Sequence, residues 1–101
     1  MAKKSLYTFR KKIGERHPRL VVWADKTTFW TLSLTHSKKN GIKNNIPLNH
    51  NPNKNDTRQA YVQRKVYKDY KFCFTKAFTN YVLSDEDLKM ILQFLKTKKK
   101  K

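Results

Sequence analysis

The fold of this chain is decided by residues 16–37, which read RHPRLVVWADKTTFWTLSLTHS. An apolar run follows Pro18, and a second run alternates between two faces: Trp30, Leu32 and Leu34 on one, and Phe29, Thr31, Ser33 and Thr35 on the other. Such alternation in β-branched and aromatic residues is typical of a half-buried strand. Residues 24–28, ADKTT, are a plausible hairpin loop between the two runs. We therefore predict a β-hairpin.

The open end of this hairpin carries polar side chains on both strands. Antiparallel pairing is expected to bring the two groups side by side. Together they form the candidate catalytic cluster: Arg16, His17, Arg19, Thr35, His36 and Ser37. Histidine titrates near neutral pH and can move a proton, guanidinium groups bind phosphate oxygens, and hydroxyls donate hydrogen bonds to them. The same residue types are common in ordinary loops, so a contact surface without catalysis is the alternative.

The positive charge of the chain limits its possible partners. Its 101 residues include 24 Lys and Arg but 7 Asp and Glu, for a net charge of +17. Self-repulsion at this density opposes compaction, and a polyanionic partner such as nucleic acid relieves it. An acidic protein partner and a merely basic surface are the alternatives. The aromatic content of 13% argues against disorder, and the length predicts one small domain.

Basic residues are concentrated in three places: an N-terminal arm over residues 1–12, a polar loop over residues 38–57, and the segment that follows it. Seven of the twenty loop residues are Asn, whose amides suit base edges. The predicted nucleic-acid contacts are Lys3, Lys4, Arg10, Lys11, Lys12, Lys38, Lys39, Lys43, His50, Lys54, Arg58, Arg64 and Lys65. The arm is either mobile or docked as a first strand or short helix.

The remaining chain predicts two strands and a helix. Residues 58–66 and 70–74 alternate in the manner of strands. Ser84 is a good N-cap for a helix over residues 84–96, and Asp87 is placed to reach back to the cap N–H. The predicted buried face of the helix is Leu88, Ile91, Leu92 and Leu95, with Met90 opposite it and Phe94 at its margin. Residues 97–101 are a basic tail.

Neither a metal nor a cofactor is expected. One cysteine and three scattered histidines do not form a zinc pattern. Cys73 has no second cysteine to pair with, which fits a reducing cytoplasm. No apolar run reaches membrane-spanning length, and the N-terminus lacks the apolar stretch of a signal peptide, so a membrane partner is not expected.

Four motifs occur in a familiar order: Pro18–Val22 (PRLVV), Leu34–Ser37 (LTHS), Ile46–Leu48 (IPL) and Leu83–Leu88 (LSDEDL). In this combination the chain resembles the MazF/PemK-like toxin family. The resemblance spans about residues 13–96 and implies a mainly β, SH3-like barrel with one C-terminal α-helix.

The resemblance also implies a function. Members of the family are typically metal-independent endoribonucleases, often homodimers, and are silenced by an acidic antitoxin. Their catalytic Thr/Ser falls on Thr35, whereas the Arg that precedes their Pro is replaced by His17. We therefore expect a protein that acts on RNA or a ribonucleoprotein. One alternative is a non-catalytic binding module of a phage or other mobile element, such as an anti-CRISPR-like inhibitor of a host nuclease complex. Another is a ribosome-associated protein, which the basic segments at both chain ends fit.

Overall fold

A computed structural model describes residues 6–40 and 43–99. The strands, in chain order, are β1 (Phe9–Lys11), β2 (Pro18–Ala24), β3 (Thr28–Thr35), β4 (Lys39–Asn40), β5 (Lys43–Asn44), β6 (Ile46–Pro47), β7 (Tyr61–Val62) and β8 (Tyr67–Tyr70). A short 3₁₀ helix, Lys71–Cys73, follows β8, and the α-helix α1 spans Asp85–Lys99. The prediction of a mainly β protein with one C-terminal helix is confirmed.

β3 is the centre of a six-stranded antiparallel sheet. It pairs with β2 along one edge, which confirms the predicted hairpin, and Arg19 lies opposite Ser33 near the open end. Its other edge is shared, because β8 pairs with Thr28–Thr31 and β7 with Leu34–Thr35. The strands follow the order β1-β2-β3-β7-β6. No strand pairing within the described residues joins β1 to β6, so closure into an SH3-like barrel stays a prediction.

The prediction that β3 is half-buried is wrong, because both faces of the strand are covered. The main core lies on one face and contains Leu32 and Leu34 together with residues of β1, β2, β6, β7 and α1. On the other face, Phe29 packs with Val21 and Phe74 in a smaller apolar cluster. Thr31 is also buried on that face and accepts a hydrogen bond from Arg19 Nη1 at 2.9 Å.

The arm and the two later strands are shorter or placed differently than predicted. Phe9–Lys11 pairs with β2 as strand β1, so this part of the arm is docked, whereas residues 1–5 lie outside the described residues. The strand predicted over 58–66 is reduced to β7, because β8 occupies the rest of the β3 edge. The strand predicted over 70–74 is wrong: β3 begins at Thr28, so beyond Tyr70 the chain has no partner strand and turns into the 3₁₀ helix.

The helix begins as predicted but buries a different face. Ser84 Oγ accepts a hydrogen bond from the N–H of Asp87 at 3.2 Å, which confirms the N-cap. Ile91 is fully buried, but Met90, Phe94 and Leu95 pack against the core while Leu92 is exposed. The predicted placement of Leu92 and Met90 is therefore wrong. Among the described residues, no helix combines the length and apolar composition needed to cross a membrane.

The rotation of the helix follows from the burial of Asp87. The Asp87 side chain is fully buried and does not reach back to the cap. Its carboxylate accepts hydrogen bonds from Asn49 N at 2.7 Å, from Asn49 Nδ2 at 3.1 Å and from His50 N at 3.0 Å. A buried carboxylate needs such donors, so it must face the chain at residues 49–50. Together with buried Leu48 and Pro52, this contact orders the middle of the polar loop.

Replacing Asp87 with Ala is expected to lower the free energy of unfolding by about 2 kcal/mol, because three loop donors lose a charged acceptor. Urea unfolding followed by circular dichroism measures this change. Asp85→Ala is the matched control, since Asp85 is exposed in the same helical turn and its loss should cost about 0.5 kcal/mol. Equal destabilisation by the two variants would contradict a role for Asp87 in holding the loop.

Candidate functional site

The C-terminal end of β3 carries three candidate residues, Thr35, His36 and Ser37. Thr35 lies opposite Tyr61 of β7, and its side chain is only 6% exposed. Thr35 Oγ1 accepts a hydrogen bond from the N–H of Ser37 at 3.1 Å, a local bond that competes with strand pairing and turns the chain. Asn45 Nδ2 donates to the Ser37 carbonyl at 2.9 Å. These contacts fix the backbone on either side of the exposed His36.

His36 is held by a carboxylate from the polar loop. Its Nε2 atom lies 2.9 Å from Asp56 Oδ2, and its side chain is 42% exposed. Arg58 Nε donates to Asp56 Oδ1 and Arg58 Nη2 donates to Asp56 Oδ2, each at 3.0 Å. The guanidinium and the carboxylate therefore form a bidentate ion pair. The backbone N–H of Arg58 also donates to Asp56 Oδ1. The three side chains therefore form a connected row, here called the His36–Asp56–Arg58 row.

Arg58 controls the electrostatics of this row. Its side-chain and backbone hydrogen bonds, with a smaller contribution from His36, hold the pKa of Asp56 well below its ordinary value of 3.8. Asp56 raises the pKa of Arg58 in return. An ionised Asp56 can only accept hydrogen bonds, so His36 Nε2 carries the donated proton. Within the described part of the chain, nothing bonds to His36 Nδ1, so this atom is open to a ligand.

The candidates on the β1–β2 side have two kinds of environment. Arg16 and His17 are exposed between β1 and β2, and neither side chain makes a hydrogen bond or ion pair with residues 6–40 or 43–99. Arg19 is 3% exposed. Across the described residues, no hydrogen bond, ion pair or ring contact joins the side chains of Arg16, His17 or Arg19 to Thr35 or His36, although the strand pairing brings both groups to the same end of the hairpin.

The buried Arg19 is the centre of a charged network whose other members are partly exposed. Its Nη2 atom donates to Glu15 Oε1 at 2.7 Å, and its Nη1 atom lies 3.5 Å from Asp69 Oδ2. Its guanidinium also lies over the Tyr67 ring, 4.2 Å from the centroid. Lys12 completes the network through Asp69 Oδ1 at 2.9 Å, a hydrogen bond that raises the pKa of Lys12. Two cations face two carboxylates, so this cluster ties β1, β2 and β8 together and adds little net charge to the surface.

The predicted nucleic-acid contacts fall into three groups. Exposed side chains without an acidic partner are Lys11, Lys38, Lys39, Lys54, Arg64 and Lys65. Paired or partly buried side chains are Lys12, Arg58, His50, which lies 2.9 Å from Glu86 Oε1, and Arg10, whose Nη1 donates to the Thr75 carbonyl. Lys3, Lys4 and the side chain of Lys43 lie outside the described residues.

Three of the exposed cations that have no acidic partner lie near His36, because hydrogen bonds to the loop backbone hold them there. The N–H of Asn45 donates to the Lys38 carbonyl at 2.8 Å, and Arg64 Nε donates to the Asn44 carbonyl at 3.0 Å. Lys38, Lys39 and Arg64 are therefore close to the turn that follows Thr35. We call the exposed side chains of His36, Lys38, Lys39, Arg58 and Arg64 the β3-end surface.

The sequence reasoning missed the carboxylates, namely Asp56, Glu15 and Asp69. A signal was present for Asp56, since it is the one acidic residue between positions 38 and 57 and lies two residues before Arg58. No pattern in the sequence connects it to His36, because the two residues meet only through the folding of a 20-residue loop. Within the described residues, no group of three or more His, Cys, Asp or Glu side chains is arranged to hold a metal ion.

No family model, curated protein or solved structure matches this chain. The resemblance to MazF/PemK-like toxins therefore stays a prediction that rests on the four motifs.

The Arg58→Ala variant is expected to raise the pKa of Asp56 towards 3.8, because the guanidinium is the main group that favours the ionised carboxylate. Carboxyl NMR shifts recorded against pH measure this pKa. In the wild type, ionised Asp56 stabilises the fold above pH 3.8, and the contribution is lost only as the pH falls through the lower, folded-state pKa. Arg64→Ala is the control, and an unchanged Asp56 pKa in Arg58→Ala would contradict the assignment.

Proposed function

We propose that this protein binds RNA, and that the β3-end surface contacts the phosphate backbone. The observation that carries the proposal is the net charge of +17 together with the exposed, acid-free cations Lys38, Lys39 and Arg64 beside His36. Phosphates release condensed counterions when lysine and arginine neutralise them, so a surface of this kind gains affinity from any nucleic-acid backbone.

The row of His36, Asp56 and Arg58 favours a second candidate function, metal-independent RNA cleavage. In this reaction the 2′-oxygen forms a bond to phosphorus while the bond from phosphorus to the 5′-oxygen breaks. A base takes the 2′-hydroxyl proton, and an acid donates a proton to the leaving 5′-oxygen. His36 suits one of these roles, since Asp56 orients its ring and Nδ1 is open to a substrate proton. Arg58 and Lys38 suit the stabilisation of the negative charge that develops on the phosphorus oxygens.

Thr35 enters this proposal as a positioning residue. Its hydroxyl is buried and is used by the Ser37 N–H, so it supports the backbone next to His36. The resemblance to MazF/PemK-like toxins agrees with a role for Thr35, whereas His17 at the position of the family's Arg favours a module that binds RNA or a ribonucleoprotein without cutting it. An acidic antitoxin-like partner would compete for the same cations. With its single free cysteine, Cys73, the protein fits a reducing cytoplasm.

Binding to single-stranded RNA is expected to weaken steeply with salt. Each phosphate contact contributes a slope of about −0.7 in log K against log salt for a single strand, so Lys38→Gln should weaken binding and reduce the slope by about 0.7. Fluorescence anisotropy at several salt concentrations measures both quantities. Lys89→Gln, an equal change of charge at an exposed position on α1, is the control. Equal effects of the two variants would mean that the β3-end surface is not where the RNA binds.

Cleavage is expected to persist in EDTA and to be lost in His36→Ala, with a decrease of about 10²- to 10⁴-fold if His36 acts as acid or base. Mapping cut sites on a long single-stranded RNA measures this, with His17→Ala run in parallel to compare the two histidines at this end of the hairpin. Thr35→Ser should retain more activity than Thr35→Ala, because the acceptor for the Ser37 N–H is kept. RNA that is bound but not cut would contradict the proposed cleavage and would leave RNA binding without catalysis.

A further inference from the structure

Three exposed aromatic side chains lie at the other end of β3. Trp23, Tyr70 and Phe72 are 55%, 58% and 78% exposed. Aromatic side chains of this size are usually at least partly buried, because each removes a large apolar area from water. Three of them on one small domain, all near the tip of the β2–β3 hairpin, need a functional explanation.

Strand register places Trp23 and Tyr70 on the face of Trp30, which is half-buried and packs against the edge of the main core. Trp23 lies opposite Trp30, and Trp30 lies opposite Lys68 across the other edge of β3. Tyr70 lies opposite Thr28, two residues along from Trp30 and therefore on the same face. Phe72 extends this row from the 3₁₀ helix. We call Trp23, Trp30, Tyr70 and Phe72 the aromatic platform.

The outer part of the platform is built from parallel rings. The centroids of Tyr70 and Phe72 are 5.4 Å apart, and the two ring planes differ by 12°. The short 3₁₀ helix sets this spacing, because Lys71 N is held by the Thr27 carbonyl at 2.7 Å and Phe74 N bonds to the Lys71 carbonyl at 3.1 Å. A stack of two exposed rings offers a flat outer face that resembles the face of a base in a single strand.

One cation, Lys68, lies at the platform, whereas the nearby carboxylates are occupied. Lys68 Nζ is 5.4 Å from the centroid of Trp30, while Lys71 Nζ lies 5.3 Å from the centroid of Phe29 on the opposite face of β3. Asp25 accepts hydrogen bonds from the N–H groups of Thr27 and Thr28 in the hairpin turn. Asp69 is held by Lys12 and Arg19. The platform is therefore apolar and positive, which is the composition of surfaces that stack unpaired bases and hold their phosphates.

We propose that the aromatic platform binds unpaired bases, so that the ligand of this protein is single-stranded RNA. This inference rests on the proposed RNA binding and adds to it the class of RNA. A base-paired helix keeps its bases stacked inside and cannot offer their faces to Tyr70 and Phe72. A second copy of the chain is a poorer occupant, since two molecules of charge +17 repel each other.

The platform and the β3-end surface lie at opposite ends of the same strand. From Trp30 to His36 the chain advances six residues, which corresponds to ~20 Å along a strand. A single strand of several nucleotides can span this distance. Its bases would stack at the hairpin tip while its backbone reaches the cations near His36.

The test compares a labelled, unstructured oligouridylate with a double-stranded RNA of the same length, by anisotropy at several salt concentrations. Tyr70→Ala and Phe72→Ala should each weaken binding of the single strand about tenfold, as expected for loss of one stacked base. Their salt slopes should not change, because no phosphate contact is removed. Phe72→Leu should also bind more weakly, since it keeps apolar bulk without an aromatic face. Val82→Ala, at another exposed apolar position, is the control and should bind like the wild type.

The outcomes separate this inference from the proposed function. If Tyr70→Ala and Phe72→Ala bind RNA with wild-type affinity while Lys38→Gln binds it more weakly, the proposal that the platform binds bases is overturned and the proposed RNA binding stands. Equal loss of duplex and single-strand binding in the aromatic variants would also overturn it. A dimer in sedimentation that becomes a monomer in Phe72→Ala would show that the platform is a self-interface. Failure of the wild type to bind any RNA would reject both proposals.

Discussion

The structure depends on the burial of β3 on both faces and its pairing along both edges. β2 takes one edge, while β7 and β8 divide the other. One face supports the main core and the helix, and the opposite face supports Phe29 and Thr31. Because β7 and β8 pair with the same edge of this strand, the length of each is limited by the part of that edge that the other leaves free. This explains why β7 has two residues and why the chain leaves the sheet after Tyr70.

In a small domain with so many cations, electrostatic repulsion between like charges opposes folding. The fold offsets this repulsion by placing its few carboxylates where each serves several donors. Asp87 orders the polar loop against the helix, Asp69 and Glu15 surround Arg19, and Asp56 links His36 to Arg58. Six of the seven acidic residues thereby have partners within the described residues, because Asp25 accepts from the N–H groups of Thr27 and Thr28 and Glu86 lies beside His50. The remaining positive charge lies on the surface, where a polyanion can neutralise it.

The two ends of β3 differ in chemistry. At one end, exposed cations surround His36 on a backbone that Thr35 and Asn45 fix in place. At the other, Tyr70 and Phe72 form a stack beside Trp30 and Lys68. Charge attracts any nucleic-acid backbone, whereas flat apolar rings select for bases that are not already paired. A surface with both properties suits a flexible single strand better than a rigid duplex.

The sequence by itself determined the features that depend on local order: the β2–β3 hairpin from period-two alternation, the helix start from Ser84, and the positive surface from composition. It also located His36 and Thr35 at a strand end. Only the tertiary structure decided the contacts between distant segments. Asp56 reaches His36 across a 20-residue loop, Arg19 turns inward to Glu15 and Asp69, and buried Asp87 rotates the helix so that Leu92 faces solvent. The positions of Arg19 and Asp87 are set by where a buried charge can find partners, and the Asp56–His36 contact is set by the path of the loop. Spacing along the chain encodes neither.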